Sequence, residues 1–252
     1  MKAAAFALAC AVLLCACPKE DEKPPPPPRD GPLGMRRCSG QPGRKNPRKP
    51  VFVKPFEGDY PVFNLFDHQT PGDFKPFSSG SNELAYCGID MLGLSEGYEG
   101  YAWGLPMGTP VNAVADGEVV HAGMDDEFFC LLPEFRRQVS DQISVHVKHE
   151  GLAGMGFVTI YQHLKSADVK VGDRVTAGQV LGKSGKSGCA TEPLFYFGVL
   201  RLMGTKTGKP VSVDPYGWDG PRVDPWADHP KGAQSYYLWQ DGEAPKLEGR
   251  LK

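Results

Sequence analysis

Long apolar runs are missing from this chain. The main candidate, Ala3 to Leu14, follows a single early cation, Lys2, and falls short of the roughly 20 residues a spanning helix needs. That excludes a membrane-spanning helix and reads instead as a secretory signal over residues 1–16, removed rather than folded. Helical periodicity is scarce too, with Pro133 to Val139 as the one helical signal, and no internal repeat is present. Charge of one sign is not in excess: 28 Lys and Arg face 30 Asp and Glu, a net charge of -2, which argues against a nucleic-acid partner.

What the first fifty residues do contain is an address. The signal ends in Leu14-Cys15-Ala16-Cys17, which resembles a bacterial lipobox with Cys17 as the lipidated residue. Acyl chains there would add about 0.8 kcal/mol per buried methylene and hold the protein on a membrane. Pro18, not Asp, follows Cys17, which favours the outer membrane facing the periplasm. Residues 17–50 then combine the run Pro24 to Pro28 with glycine and charge, a composition that reads as a stiff, extended tether. Between Arg29 and Lys54 the cations Arg36, Arg37, Arg44, Lys45, Arg48 and Lys49 are opposed only by Asp30, so anionic lipid heads or wall polymers are natural contacts.

Of seven cysteines, Cys10 and Cys15 leave with the signal and Cys17 goes to lipid. Cys38, Cys87, Cys130 and Cys189 remain in an oxidising compartment, free to form two disulfides in any of about three pairings.

The folded part reads as mainly β. Val111 to Val120 is expected to form a hairpin, with Asp116-Gly117 supplying the positive φ of a tight turn. Gln142 to His149 and Phe157 to Leu164 alternate apolar and polar residues and pair as antiparallel neighbours. Val169 to Gly182 places glycines where a compact sheet turns, and Pro193 to Leu200 is a further strand. Short strands at turn-marked spacing give a mainly antiparallel β class.

From about residue 98 to 226 the order of segments resembles the lysostaphin-type (LytM-like) zinc metalloendopeptidases, which cut peptidoglycan cross-bridges. The matching segments are Gly108-Thr109-Pro110-Val111, Ala115-Asp116-Gly117-Glu118-Val119-Val120, Thr159-Ile160-Tyr161-Gln162-His163-Leu164, Val169-Lys170-Val171-Gly172-Asp173 and the strand Leu194-Phe195-Tyr196-Phe197. The tail around Val213-Asp214-Pro215 and Phe66-Asp67-His68 upstream are similar to extracellular members. The resemblance implies the antiparallel core of that family, duplicated hybrid motif-like, over residues 98–226. It is flanked by an N-terminal extension at 51–97 and a C-terminal tail at 227–252.

The same resemblance implies a lost metal site. The family's H-x-G-x-D segment is Tyr98-Glu99-Gly100-Tyr101-Ala102 here, and its second H-x-H histidine is Tyr196. An open zinc site needs three protein ligands and a water, whereas phenols with a pKa of about 10 are poor ligands and alanine offers no donor. A second register, Tyr86-Cys87-Gly88-Ile89-Asp90, keeps one carboxylate but lies too far from Gly108. No zinc or other cofactor is therefore expected. The family's T-x-Y-x-H histidine survives as His163, but its partner is Leu194, and one imidazole without a metal does not activate water. Tyr161, His163 and Leu194 are expected to line an aromatic cleft with Tyr98 and Tyr196. His68, His121, His146, His149 and His229 read as surface or turn residues. Cys130, in the long segment from Met124 to Gln142, is expected to pair with Cys189 beside the groove.

These expectations describe a lipid-anchored, catalytically inactive relative of the wall endopeptidases that binds peptidoglycan or controls a cell-wall hydrolase, as degenerate LytM-type factors do for amidases. The enzyme alternative is a zinc endopeptidase built from substitute ligands such as Asp90, His68 and His163. A structural envelope lipoprotein is the third reading. The hairpin from Val169 to Leu181 also looks like that of biotinyl and lipoyl carriers, but the M-K-M those carriers modify is absent.

Overall fold

The computed structural model describes residues 49–66, 68, 98–132, 135–139, 141–151, 155–218, 224–229 and 232–247. The signal, Cys17, most of the tether, Cys38, Tyr86, Cys87 and Asp90 lie outside them. The elements of the described residues are nearly all β. Its strands are β1 (Val62–Asn64), β2 (Tyr101–Trp103), β3 (Pro110–Asn112), β4 (Gly117–Met124), β5 (Phe128–Leu132), β6 (Phe135–Val139) and β7 (Ile143–His149). They are followed by β8 (Phe157–Gln162), β9 (Leu164–Ala167), β10 (Arg174–Val175), β11 (Val180–Ser184), β12 (Phe195–Arg201) and β13 (Val211–Ser212). One short helix, α1 (Pro225–Asp228), completes the described elements.

Eight strands form one antiparallel sheet in the order β1-β2-β12-β8-β7-β4-β10, with β13 added on β12. Strands β3, β11 and β9 form a smaller sheet, and β5 pairs with β6. Side chains alternate across a strand, and β12 shows the consequence. Phe195, Phe197 and Val199 are buried, joining Trp103, Tyr161, Val145 and Val147 in the core, while Tyr196 is only partly covered.

The segments before and after the family-like stretch belong to the same core. Phe52 bridges to Trp239 in parallel register and stacks edge-on against it at 5.6 Å, and both are fully buried. Phe52 N–H donates to the Leu238 carbonyl at 2.7 Å, and Gln240 N–H returns a bond to the Phe52 carbonyl at 2.9 Å.

Two local expectations are corrected. The segment from Pro133 to Val139 carries strand β6, whose register runs from Phe128 opposite Val139 to Leu132 opposite Phe135. Aromatic and β-branched residues at its ends fit a pleated ladder better than a helix. The Asp116-Gly117 turn closes no hairpin, because β3 pairs with β11 while β4 pairs with β7 and β10. Ala113, Val114 and Ala115, all buried, cross between the two sheets. Gly117 is not among the positive-φ residues; it is needed because a Cβ there would lie 2.6 Å from the Lys148 carbonyl oxygen and 2.8 Å from the His149 ring.

Candidate functional site: the groove face of the large sheet

The face of the large sheet opposite the aromatic core carries Ala102 and Tyr196 among the residues singled out above. Residues directly opposite in an antiparallel pair share a face. The register Asn64, Ala102, Tyr196, Gln162 therefore makes one row across β1, β2, β12 and β8. The next row runs Gly198, Ile160, His146, His121 across β12, β8, β7 and β4.

At the β2–β12 end stand the three positions where the family pattern places its ligands. Tyr98 and Tyr196 meet edge to face with ring centroids 5.5 Å apart, and Ala102 lies beneath them, opposite Tyr196 in the ladder. The Tyr196 ring fills the space above two glycines. A Cβ on Gly100 would come within 2.6 Å of the ring, and one on Gly198 within 2.7 Å of its hydroxyl. The Tyr196 hydroxyl donates to the Glu99 carbonyl at 3.0 Å, and that of Tyr98 hydrogen-bonds with Asn64. Burial pushes both phenols well above the ordinary tyrosine range, with Asn64 opposing it at Tyr98 and the Tyr98 and Glu99 charges adding to it at Tyr196. Neither ionises to a phenolate near neutrality. These residues do not fit a zinc ion.

His163 follows β8 with a φ of 61°, a region uncommon for any residue but glycine, though less so for histidine. The ring is buried, and its Nδ1 lies 2.9 Å from the Ser187 carbonyl, to which it donates. The other nitrogen, Nε2, is thereby left as the acceptor. Burial lowers the proton affinity of the ring, against the Ser187 bond and the charge of Asp125. Leu194 sits beside Gly185 in an isolated bridge, so no second imidazole joins His163 there.

Tyr161 is not in the groove. It pairs with Phe197 on β12 and Val145 on β7, both core residues, and is fully buried. The strand period gives the groove position to Gln162 instead. Tyr161 belongs to an internal polar chain. Val114 N–H donates to its hydroxyl at 3.1 Å, Thr159 Oγ1 lies 3.1 Å away, and His149 links Thr159 to the Asp116 carbonyl, each at 2.8 Å. His149, expected at the surface, is thus a satisfied core residue.

His68 is likewise internal. Its ring nitrogens contact Asp224 at 2.8 Å and Asp214 at 2.9 Å, while Asp214 also accepts from the Tyr101 hydroxyl at 2.8 Å. Full desolvation works against the charged ring, yet the bonds and charges of the two carboxylates carry its pKa up to about 10. His68 is therefore an imidazolium clasp joining the N-terminal segment to β2 and to the segments that carry Asp214 and Asp224, remote in role from His163.

Sequence reasoning passed over the other end of the groove face. Ser144 Oγ donates to Asp125 Oδ1, Gln142 Nε2 donates to Asp125 Oδ2 at 2.7 Å, and His146 Nε2 lies 3.3 Å from Ser144 Oγ. The His121 and His146 rings are 4.9 Å apart. Strand parity concealed it: His121 shares the parity of the core residue Val119, and a register shift between the two makes it the direct ladder partner of His146. Between the two ends runs the loop after β11. There Ser187 Oγ accepts from Ile143 N–H at 3.0 Å, and Cys189 is joined to Cys130 on β5. Among the described residues, no group of three or more His, Cys, Asp or Glu is arranged, as the side chains stand, to hold a metal ion.

Comparison with known proteins adds descent to this geometry. Residues 96–215 match the model of Peptidase family M23. The cell division protein DipM of Caulobacter vibrioides is 35% identical over 152 residues, 58% of this chain and 22% of DipM. The glycyl-glycine endopeptidase ALE-1 of Staphylococcus capitis is 35% identical over 49% of this chain and 27% of its own length. The chain thus spans about a quarter of these relatives. The solved catalytic domain of lysostaphin from Staphylococcus simulans is 24% identical, with 63% of this chain and 86% of that one covered at a TM-score of 0.36.

Proposed function

Residues 96–215 being a domain of peptidase family M23, we propose that the protein is a catalytically inactive member that binds peptidoglycan or governs a cell-wall hydrolase from a lipid anchor at Cys17. One observation carries the reading. The family's three metal positions are Tyr98, Ala102 and Tyr196, and the two phenols pack on each other rather than around an ion. A hydrolytic zinc site requires donors that are deprotonated when the metal binds, and these phenols are held protonated by burial.

The substitute set of Asp90, His68 and His163 gains no support, because His68 is committed to Asp214 and Asp224. The surviving His163, with its ring fixed by Ser187, serves as a hydrogen-bonding group in the groove. Beside it the aromatic faces of Tyr98 and Tyr196 suit stacking on sugar rings or clasping a peptide.

The test is sedimentation with purified sacculi, combined with analysis of released fragments and recovery of bound envelope proteins. Retention on sacculi without soluble fragments, or recovery of a hydrolase whose activity the protein changes, is the expected result. Chelator-sensitive release of wall peptides would overturn it. Labelling with a fatty-acid analogue, lost in a Cys17→Ala variant, tests the anchor, and fractionation of the envelope tests the outer-membrane address.

A further inference from the structure

At the polar end of the groove one shielded imidazole nitrogen meets a carboxylate without forming a hydrogen bond. His121 Nε2 is shielded from solvent and has no hydrogen-bond partner among the described residues, although it lies 3.0 Å from Asp125 Oδ1. Two donors that close without hydrogen-bond geometry sit side by side, as two ligands of one cation do. Atoms each about 2.1 Å from a zinc-like ion, subtending an angle between a right angle and the tetrahedral value, are roughly 3.0 to 3.4 Å apart.

We propose that His121, Asp125 and His146 form a binding site for a borderline divalent transition cation of the zinc, cobalt or nickel class, displaced along the groove from the family's lost site. Two imidazoles and one carboxylate are the donor set such ions prefer, whereas calcium and magnesium take oxygen alone. The carboxylate is already oriented as a ligand should be, with Gln142 holding Oδ2 and Ser144 donating to Oδ1.

His146 supplies the third donor by turning. Its Nε2 rests 3.3 Å from Ser144 Oγ, and its ring centroid lies 4.9 Å from that of His121; the proposed site requires this ring to turn from the serine toward His121 and Asp125. The remaining imidazole that feels Asp125 is His163, whose Nδ1 is committed to Ser187.

The experiment uses the full chain without a histidine tag, titrated with cobalt(II) and followed by its visible absorption, with zinc content measured after dialysis. One equivalent of metal is expected. His121→Asn and His146→Asn should each weaken binding by more than about tenfold, the loss that even an outer-shell partner can cost. Tyr98→Phe and Tyr196→Phe should leave it unchanged, and far-UV circular dichroism shows that each variant folds. Sub-stoichiometric cobalt in the unaltered chain would overturn the proposal, as would binding that survives both asparagine variants. Binding that disappears in Tyr98→Phe, Tyr196→Phe or His163→Ala while persisting in His146→Asn would also refute it, by placing the ion at the family position.

Discussion

The two ends of one groove face have the same backbone and opposite chemistry. Across β2 and β12 the floor is phenol, alanine and glycine, with both hydroxyls held by the protein's own groups. Across β7 and β4 it is imidazole, hydroxyl and carboxylate, with His121 Nε2 set 3.0 Å from Asp125 Oδ1. A sheet fixes where side chains project but not what they are, so two ends of one face can differ in chemistry over a single continuous core. On the opposite face of the same strands Trp103, Phe195 and Phe197 at one end and Val119, Val145 and Val147 at the other are all buried.

The comparison breaks most sharply if the phenol end is converted into the family's donor set. Tyr98→His, Ala102→Asp and Tyr196→His together, in a His146→Asn background that silences the polar end, should take zinc at that end from none to about one equivalent. Hydrolysis of wall peptides should appear only when Leu194→His is added, because His163 alone lacks its partner. Zinc analysis and fragment release from sacculi read the two steps separately. Failure of the triple variant to bind zinc while remaining folded would mean that more than the ligands has been lost.

The disulfide tests the polar end by itself. Cys130 and Cys189 close a loop of 59 residues, and removing such a cross-link costs roughly 4 kcal/mol in the chain-entropy picture, with typical measured values of about 2–4 kcal/mol. A Cys130→Ser, Cys189→Ser variant should show that loss in urea unfolding. It should also free the loop that positions Ser187, so the His163 ring resonances shift while the Tyr98 and Tyr196 ring resonances stay in place.

Protonation separates the ends by sign. His68, clasped beside β2, has a folded pKa near 10 against an ordinary 6.5, so its contribution is complete below about pH 6.5 and is lost as pH rises toward 10. His146 and His163 are shifted downward, so theirs is present above about pH 6.5 and is lost as pH falls below it. Unfolding midpoints measured from pH 5 to 10 should therefore decline toward both limits. The alkaline decline, on the order of a few kcal/mol, should flatten in His68→Gln, and the acid decline in His146→Asn.

Much of this was written in the sequence, and the misses share a cause. Period-two alternation in Phe195 to Leu200 and Ile143 to His149 identified strands and their faces, and the segment order identified the core. Tyr161 was misplaced because its motif neighbour His163 suggested a common side, although strand parity assigns it to Phe197's face. The Asp116-Gly117 pair looked like hairpin chemistry, yet the close approach of Lys148 and His149 is a tertiary demand that no local pattern reports. The His68 clasp joins residues 146 and 156 positions apart, and the β4–β7 cluster needed the bulged register between Val119 and His121. Such long-range pairings are set by packing rather than by neighbouring residues.

The smallest effect probes whether the phenols act by shape or by polarity. Tyr98 keeps its edge-to-face contact with Tyr196 when its hydroxyl is removed, but its bond with Asn64 is lost. Tyr98→Phe should therefore cost about 1 kcal/mol, the usual net worth of such a bond, and leave sacculus retention intact if the ring face is what a sugar or peptide meets. Tyr98→Ala removes the face as well, and retention should then fall. A loss of retention in Tyr98→Phe equal to that in Tyr98→Ala would assign the contact to the hydroxyl instead. The β2–β12 end would then be a polar site like its counterpart on β4 and β7.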